Sequence, residues 1–246
     1  MIRSDLNSIS LYLHFQRFSM RLLIFTLIFP SFLFSQNRAP KCEDIDGLAI
    51  NYFDEVPEAY TGAIKVCYQT GELSAYLTLK KGLSDGVSRQ WHKNGELRLE
   101  ENYMDGVLVG VCTSWYRSGN KEWQLSYESG KATGVSNTWY ENGNLKKTCV
   151  FRDDLMAGDL IYYYDNGQLE YKVSLDDGME EGLAETYYED GKLKIKMFYE
   201  KGFPVGTSTE YYQNGKIKGE IDYLDGMVSA LRCYLEQGRQ VPCETE

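Results

Sequence analysis

The sequence predicts an all-β protein: an elongated antiparallel β-meander, or solenoid, of seven 24-residue β-hairpin units with a C-terminal cap. Three observations predict it. Glycine recurs every 24 residues at Gly62, Gly86, Gly110, Gly134, Gly158, Gly182 and Gly206. Two further glycine series keep step with the first, one at Gly71, Gly95, Gly119, Gly143, Gly167, Gly191 and Gly215, the other at Gly82, Gly106, Gly130, Gly178, Gly202 and Gly226. Between them stand aromatic pairs and alternating apolar residues, the mark of half-buried strands.

Each unit reads as two arms and a turn. Five residues after the first glycine come Trp91, Trp115, Trp139, Tyr163, Tyr187 and Tyr211, with Cys67 in the first unit. The next slot is Tyr68, His92, Tyr116, Tyr140, Tyr164, Tyr188 and Tyr212. Asn94-Gly95, Asn142-Gly143, Asn166-Gly167, Asp190-Gly191 and Asn214-Gly215 follow. Asn-Gly between apolar runs signals a two-residue type I′ turn, because both residues accept positive φ. The second arm then alternates. Leu193, Ile195, Met197 and Tyr199 interleave with Lys192, Lys194 and Lys196, so these apolar residues are expected on one face. A lone hairpin is unstable, so the units must stabilise one another side by side.

Four segments are expected: residues 1–35 as a signal peptide, 36–61 as a lead-in, 62–229 as the repeats and 230–246 as a partial repeat and cap. Residues 22–34 form a short apolar run behind Arg21 and before Ser35, too short to span a bilayer. Met20 offers a second start, which would make residues 1–19 an upstream artefact. A buried N-terminal helix is the competing reading, though the run has no polar face. Export would permit disulfides among Cys42, Cys67, Cys112, Cys149, Cys233 and Cys243. Cys233 and Cys243 flank a short segment and read as partners. Cys42 and Cys67 would staple the N-terminal edge. Cys112 and Cys149 stand three strands apart, roughly 14 Å, beyond the ~7 Å a disulfide allows.

Charge and composition exclude several functions. The chain has 26 basic and 36 acidic residues, a net charge of −10. Residues 36–246 hold 23 of the basic and 35 of the acidic ones, a balance of −12. Nucleic acid and anionic lipid both require clustered Lys and Arg, so neither is expected as a partner. His14 and His92 are the two histidines, too few for a multi-histidine metal site. No C-x-x-C occurs, and Asp44-Ile-Asp46-Gly47 and Asp176-Asp177-Gly178 lack the further oxygen ligands of a calcium loop. No metal or cofactor is therefore assigned. His92 fills a slot that is Tyr elsewhere and is expected to sit among Glu96, Glu100 and Glu101.

The pattern Gly-x4-[Trp/Tyr]-[Tyr/His]-x2-Gly-x-[Leu/Ile], then an aromatic and a glycine, resembles the MORN repeat in its bacterial variant form. It stands as Gly182-Leu-Ala-Glu-Thr-Tyr187-Tyr188-Glu-Asp-Gly191-Lys-Leu193, then Tyr199-Glu-Lys-Gly202. Cys67, Leu79 and Asp154 depart from it. The resemblance implies scaffolding of other proteins, with membrane-lipid association known for other arrays, and bacterial relatives bear the name of YwqK-type antitoxins. The function expected is a non-enzymatic exported scaffold with a protein partner in the periplasm, at the envelope or outside. The alternatives are an antitoxin or immunity protein that neutralises a toxin, and a carbohydrate-binding strip of Trp91, Trp115, Trp139, Tyr163, Tyr187 and Tyr211.

Overall fold

The computed structural model describes residues 39–50, 57 and 59–243. Residues 1–35, expected as a signal peptide, lie outside the described residues. Among the described residues nineteen strands form one open sheet, accompanied by a single 3₁₀ turn at Cys42–Asp44. From Gly62 onward every pairing is antiparallel between chain neighbours, as a meander requires. Leu83–Ser84 and Gly86–Trp91 are two segments of one line, both paired with Leu73–Lys80. The exception to the meander is Leu48–Ile50, which lies parallel to Gly62–Cys67 and makes the sheet mixed.

The turns exchange the roles expected of them. Tyr140 N–H donates to the Asn144 carbonyl and Gly143 N–H to the Tyr140 carbonyl, which encloses a three-residue loop, Glu141-Asn142-Gly143. Gly143 alone of the three has positive φ, at 91°. The loop is thus a type I turn closed by a left-handed glycine, not type I′. The type I′ turns lie at the other end of each unit. Ser129 (φ 50°) and Gly130 (φ 82°), or Asp177 (φ 46°) and Gly178 (φ 78°), both sit at positive φ. Asp154 (φ 71°) takes the glycine position in its turn, which Asp tolerates better than most residues. Its Oδ1 accepts the Ala132 N–H at 2.7 Å.

The three-residue loop leaves the pairing register where a two-residue turn would set it. Trp139 pairs with Leu145, but Thr138 pairs with Lys147, so Lys146 is bulged out. The residue added in the loop is cancelled in the second arm, and Ser136 faces Cys149. The bulge also moves a side chain across the sheet, because side chains alternate faces. Leu193 pairs with Tyr187 beyond the bulge, while Ile195 pairs with Thr186. Leu193 therefore leaves the face of Ile195, Met197 and Tyr199 and joins the aromatic residues, a correction to the single-faced alternation read from the sequence.

Two faces result. The packed face carries Cys149, Leu160, Val173, Leu175 and Ala184, with Phe151, Tyr171 and Tyr199 against them. Cys112 and Cys149 are free and buried there, at 1% and 2% exposure. Burial pushes both thiols up, Cys112 to about 11, which leaves them protonated and unreactive at neutral pH. The opposite face carries the aromatic slot Trp91 to Tyr211.

Gly143→Val tests the loop. A Cβ at Gly143 would meet nothing nearer than Asn120 Nδ2 at 4.0 Å, so the cost is conformational rather than steric. We expect a loss of about 1–3 kcal/mol in urea unfolding, because a β-branched residue at positive φ is strained. Gly130→Ala meets positive φ without β-branching, but adds a steric cost, because Val107 Cγ1 lies 3.2 Å from the added Cβ. Wild-type stability in Gly143→Val would show that residues 141–143 do not form this loop.

Candidate interaction surface

The second aromatic slot is structural. Tyr116 Oη donates to the Trp139 carbonyl at 2.8 Å, Tyr140 to Tyr163 at 2.8 Å, Tyr164 to Tyr187 at 2.6 Å and Tyr188 to Tyr211 at 2.6 Å. Each hydroxyl rivets one hairpin loop to the next. His92 does the same, its Nε2 lying 2.8 Å from the Trp115 carbonyl. Two of the three acids expected around His92 are engaged elsewhere. Glu100 pairs with Arg89 at 2.6 Å, and Glu101 lies on the packed face beside Tyr103, where burial raises its pKa.

The loop asparagines extend this ladder. Asn142 Oδ1 accepts the Asn144 N–H, and its Nδ2 donates to the Asp165 carbonyl. Asn166 repeats both contacts with Gln168 and Glu189. Asn142 can therefore keep negative φ, because its side chain satisfies the loop. The turn glycines Gly95, Gly143, Gly167, Gly191 and Gly215 all have φ between 80° and 91°.

The first aromatic slot forms a row on the face opposite the buried thiols, and its burial changes along the array. Residues 39–46 run across that face over the first two units. Ala39 N–H donates to the Gly95 carbonyl, Cys42 N–H to Gly71, and the Pro40 carbonyl accepts from Leu73 N–H. Cys42 and Ile45 then pack with Leu73, Trp91 and Leu97. Lys65 Nζ donates to the Cys42 and Ile45 carbonyls, and the Cys42–Cys67 disulfide locks the segment down. Trp91 is consequently only 2% exposed, with its indole N–H unpartnered. It cannot serve as a surface aromatic, contrary to the expected strip.

Beyond the lead-in the row is uncovered. Trp115 packs against the edge of that cluster, and Trp139, Tyr163, Tyr187 and Tyr211 are half-buried. The slot after the loop shows the same gradient: Leu73 is 0% exposed, Leu97 7% and Ile217 36%. Lys121 lies 5.6 Å from the Trp139 ring centroid. Lys172 pairs with Glu185, which also accepts the Tyr187 hydroxyl. Glu185 is held below the usual carboxylate range, chiefly by the hydrogen bond from Lys172. An open cleft of about 530 Å³ lies between two adjacent loops, lined by Lys192, Leu193, Tyr211, Gln213, Asn214 and Gly215. Among the described residues, no group of three or more His, Cys, Asp or Glu side chains is placed to hold a metal ion. No helix among them is long and apolar enough to cross a membrane.

The gradient of cover along this row was not readable from the sequence. Its one signal was Cys42, which tied the lead-in to the first unit.

A one-layer sheet of short hairpins, riveted loop to loop, defines a β-hairpin repeat protein. Residues 84–105, 132–153, 157–177, 180–201 and 204–225 match the MORN repeat variant. The unmatched first and third units are the divergent ones, with Cys67 in an aromatic slot, and Ser118-Gly119 and Lys121 in place of Asn-Gly and Leu. No curated protein matches the chain.

Proposed function

We propose that the protein is a non-enzymatic, exported interaction scaffold whose uncovered aromatic row seats extended segments of a partner protein. One observation carries this reading. The protein's own residues 39–46 already lie on that row at the first two units, held by backbone hydrogen bonds to the loops and by apolar contact with Trp91 and Leu97. The same slots recur, uncovered, in the later units. Apolar anchors among polar rims are what an extended peptide needs. The apolar run at 22–34 and the two disulfides support an exported location. An antitoxin would be the same scaffold with a toxin as its occupant. A glycan would stack on the same rings.

The test is capture from native envelope by wild type and by two surface variants. Ile217→Asp on the aromatic row should abolish capture of a protein that wild type retains. Leu155→Asp, at a type I′ turn, should leave it unchanged. Equal capture by Ile217→Asp and wild type would remove the aromatic row from the function. A toxin among the captured proteins would select the antitoxin reading, and a glycan the carbohydrate strip.

A further inference from the structure

The two ends of the sheet are finished differently. At the N-terminal end the described edge strand is Leu48–Ile50, and the Cys42–Cys67 disulfide ties the segment before it to the neighbouring strand Gly62–Cys67. At the C-terminal end the last long strand is Met227–Tyr234. The Cys233–Cys243 disulfide folds residues 240–241 back, but they pair only with Cys233 and Tyr234. The clip expected to close this edge thus covers its end and, among the described residues, leaves the outer side of residues 227–232 without a strand.

This open stretch lacks the usual protections of an edge. It contains no Lys, Pro or Gly, and its one charge, Arg232, already pairs with Glu220 and Asp222 on the neighbouring strand. Met227, Val228 and Leu231 are 70%, 60% and 49% exposed. It is also less bulged than the strands inside the array. There, three residues beginning at the repeat glycine oppose one. Gly158, Asp159 and Leu160 face Cys149, because Val150 pairs with Ala157 and Thr148 with Ile161. Gly182 and Gly206 repeat this arrangement. In the last unit Ala230 replaces the glycine and is not at positive φ. Only Ser229 is extra there, between the pairs Tyr223–Val228 and Asp222–Ala230. A straighter, uncharged apolar edge is a better template for another strand.

We propose that residues 227–232 pair antiparallel with the same strand of a second copy, across a two-fold axis between Ser229 and Ala230. The two arrays then join end to end in one sheet. That axis sets Val228 opposite Leu231 twice and Ser229 opposite Ala230, so no like charges meet. The net charge of −10 opposes this contact weakly. Seven units at two strands each extend over roughly 65 Å, against a screening length of about 8 Å. End-to-end joining keeps most of the acidic charge far from the seam, whereas stacking the arrays face to face would not. With one edge open and the other finished, assembly closes at two copies instead of growing into a filament. The aromatic rows stay uncovered, so a dimer offers a partner two of them.

Light scattering on the purified, oxidised full chain tests this. Wild type should have twice the mass of one chain at high concentration. Val228→Lys/Leu231→Lys should have the mass of one chain, because each two-fold pair becomes Lys against Lys. Val228→Glu/Leu231→Glu should behave likewise. An equimolar mixture of the two double variants should recover the doubled mass, since every pair becomes Lys against Glu. That recovery distinguishes a register-specific seam from variants that merely misfold. A wild type of single-chain mass throughout, double variants that dimerise alone, a mixture that stays monomeric, or masses growing beyond two chains would each overturn the proposal.

Discussion

Trp91→Ala should cost about 3–5 kcal/mol, while Trp139→Ala in the same repeat slot should cost far less. Both residues begin the same structural sentence, Trp-[His/Tyr]-x-Asn-Gly, so sequence position does not separate them. Cover does. Trp91 is 2% exposed beneath Ala39, Cys42 and Ile45, packed against Tyr76 and Leu97. Its removal leaves a cavity that the disulfide-held lead-in cannot close easily. Trp139 is half-buried in a single layer, with Lys121 over its ring, and its removal opens a surface already in contact with water. Urea unfolding read by far-ultraviolet circular dichroism measures the difference. Because each unit contacts only its neighbours, the loss should appear first as faster amide exchange in residues 62–104, with residues 155–224 little changed. Equal stability losses in the two variants would mean that the lead-in does not cover Trp91.

The contrast between these tryptophans also marks what the sequence could convey. A 24-residue period without insertions dictates the number of hairpins and their neighbours, because each arm can pair only with the arms beside it. The register was legible as well, though for a different reason from the one the sequence suggests. Asn142-Gly143 implied a two-residue turn, and the loop has three residues; the bulge at Lys146 then restores the pairing of Ser136 with Cys149. The type I′ geometry appears instead at Asp105-Gly106, Asp177-Gly178 and Asp225-Gly226, equally good signals on local grounds. Local chemistry could not say which of two glycine turns per unit takes which form. The choice is made by contacts between units. Tyr140 reaches the Tyr163 carbonyl and Asn142 the Asp165 carbonyl only when the loop has three residues in this conformation. Leu83, Val107 and Phe203 in turn lie over Gly106, Gly130 and Gly226, where an added Cβ would come within 3.2–3.3 Å of them.

The candidate surface was legible in its residue types and not in its extent. The sequence placed six aromatic residues in one row, but its periodicity gave no sign that an upstream segment would lie over the first of them. A lead-in is not part of the repeat, and periodicity says nothing about it. Only the cysteines linked the two, since Cys67 stands where other units have Trp or Tyr. A disulfide in an aromatic slot exchanges a ring on the surface for a covalent tie to the segment that covers it.

Replacing that tie, as Cys42→Ser/Cys67→Ser, should cost about 3.5 kcal/mol by loop entropy for a sequence separation of 25. The same estimate for Cys233–Cys243, with a separation of 10, is about 2.7 kcal/mol. The two bonds differ more in consequence than in size. Loss of the C-terminal bond frees residues 240–241, which pair with only Cys233 and Tyr234. Loss of the N-terminal bond frees the segment that buries Trp91 and Leu97, so part of the apolar burial goes with it. The remaining attachments are the backbone bonds to Gly95, Gly71 and Leu73 and the Lys65 ammonium on two carbonyls. Those bonds exchange with water when the segment lifts, and each retains only about 1 kcal/mol. The Cys42→Ser/Cys67→Ser protein should therefore show Trp91 fluorescence shifted to the red, together with a lower urea midpoint. Cys233→Ser/Cys243→Ser should lower the midpoint less and leave the emission of Trp91 unchanged. If both double variants leave the tryptophan emission alone, residues 39–46 stay seated without their disulfide, and the hydrogen bonds alone hold them.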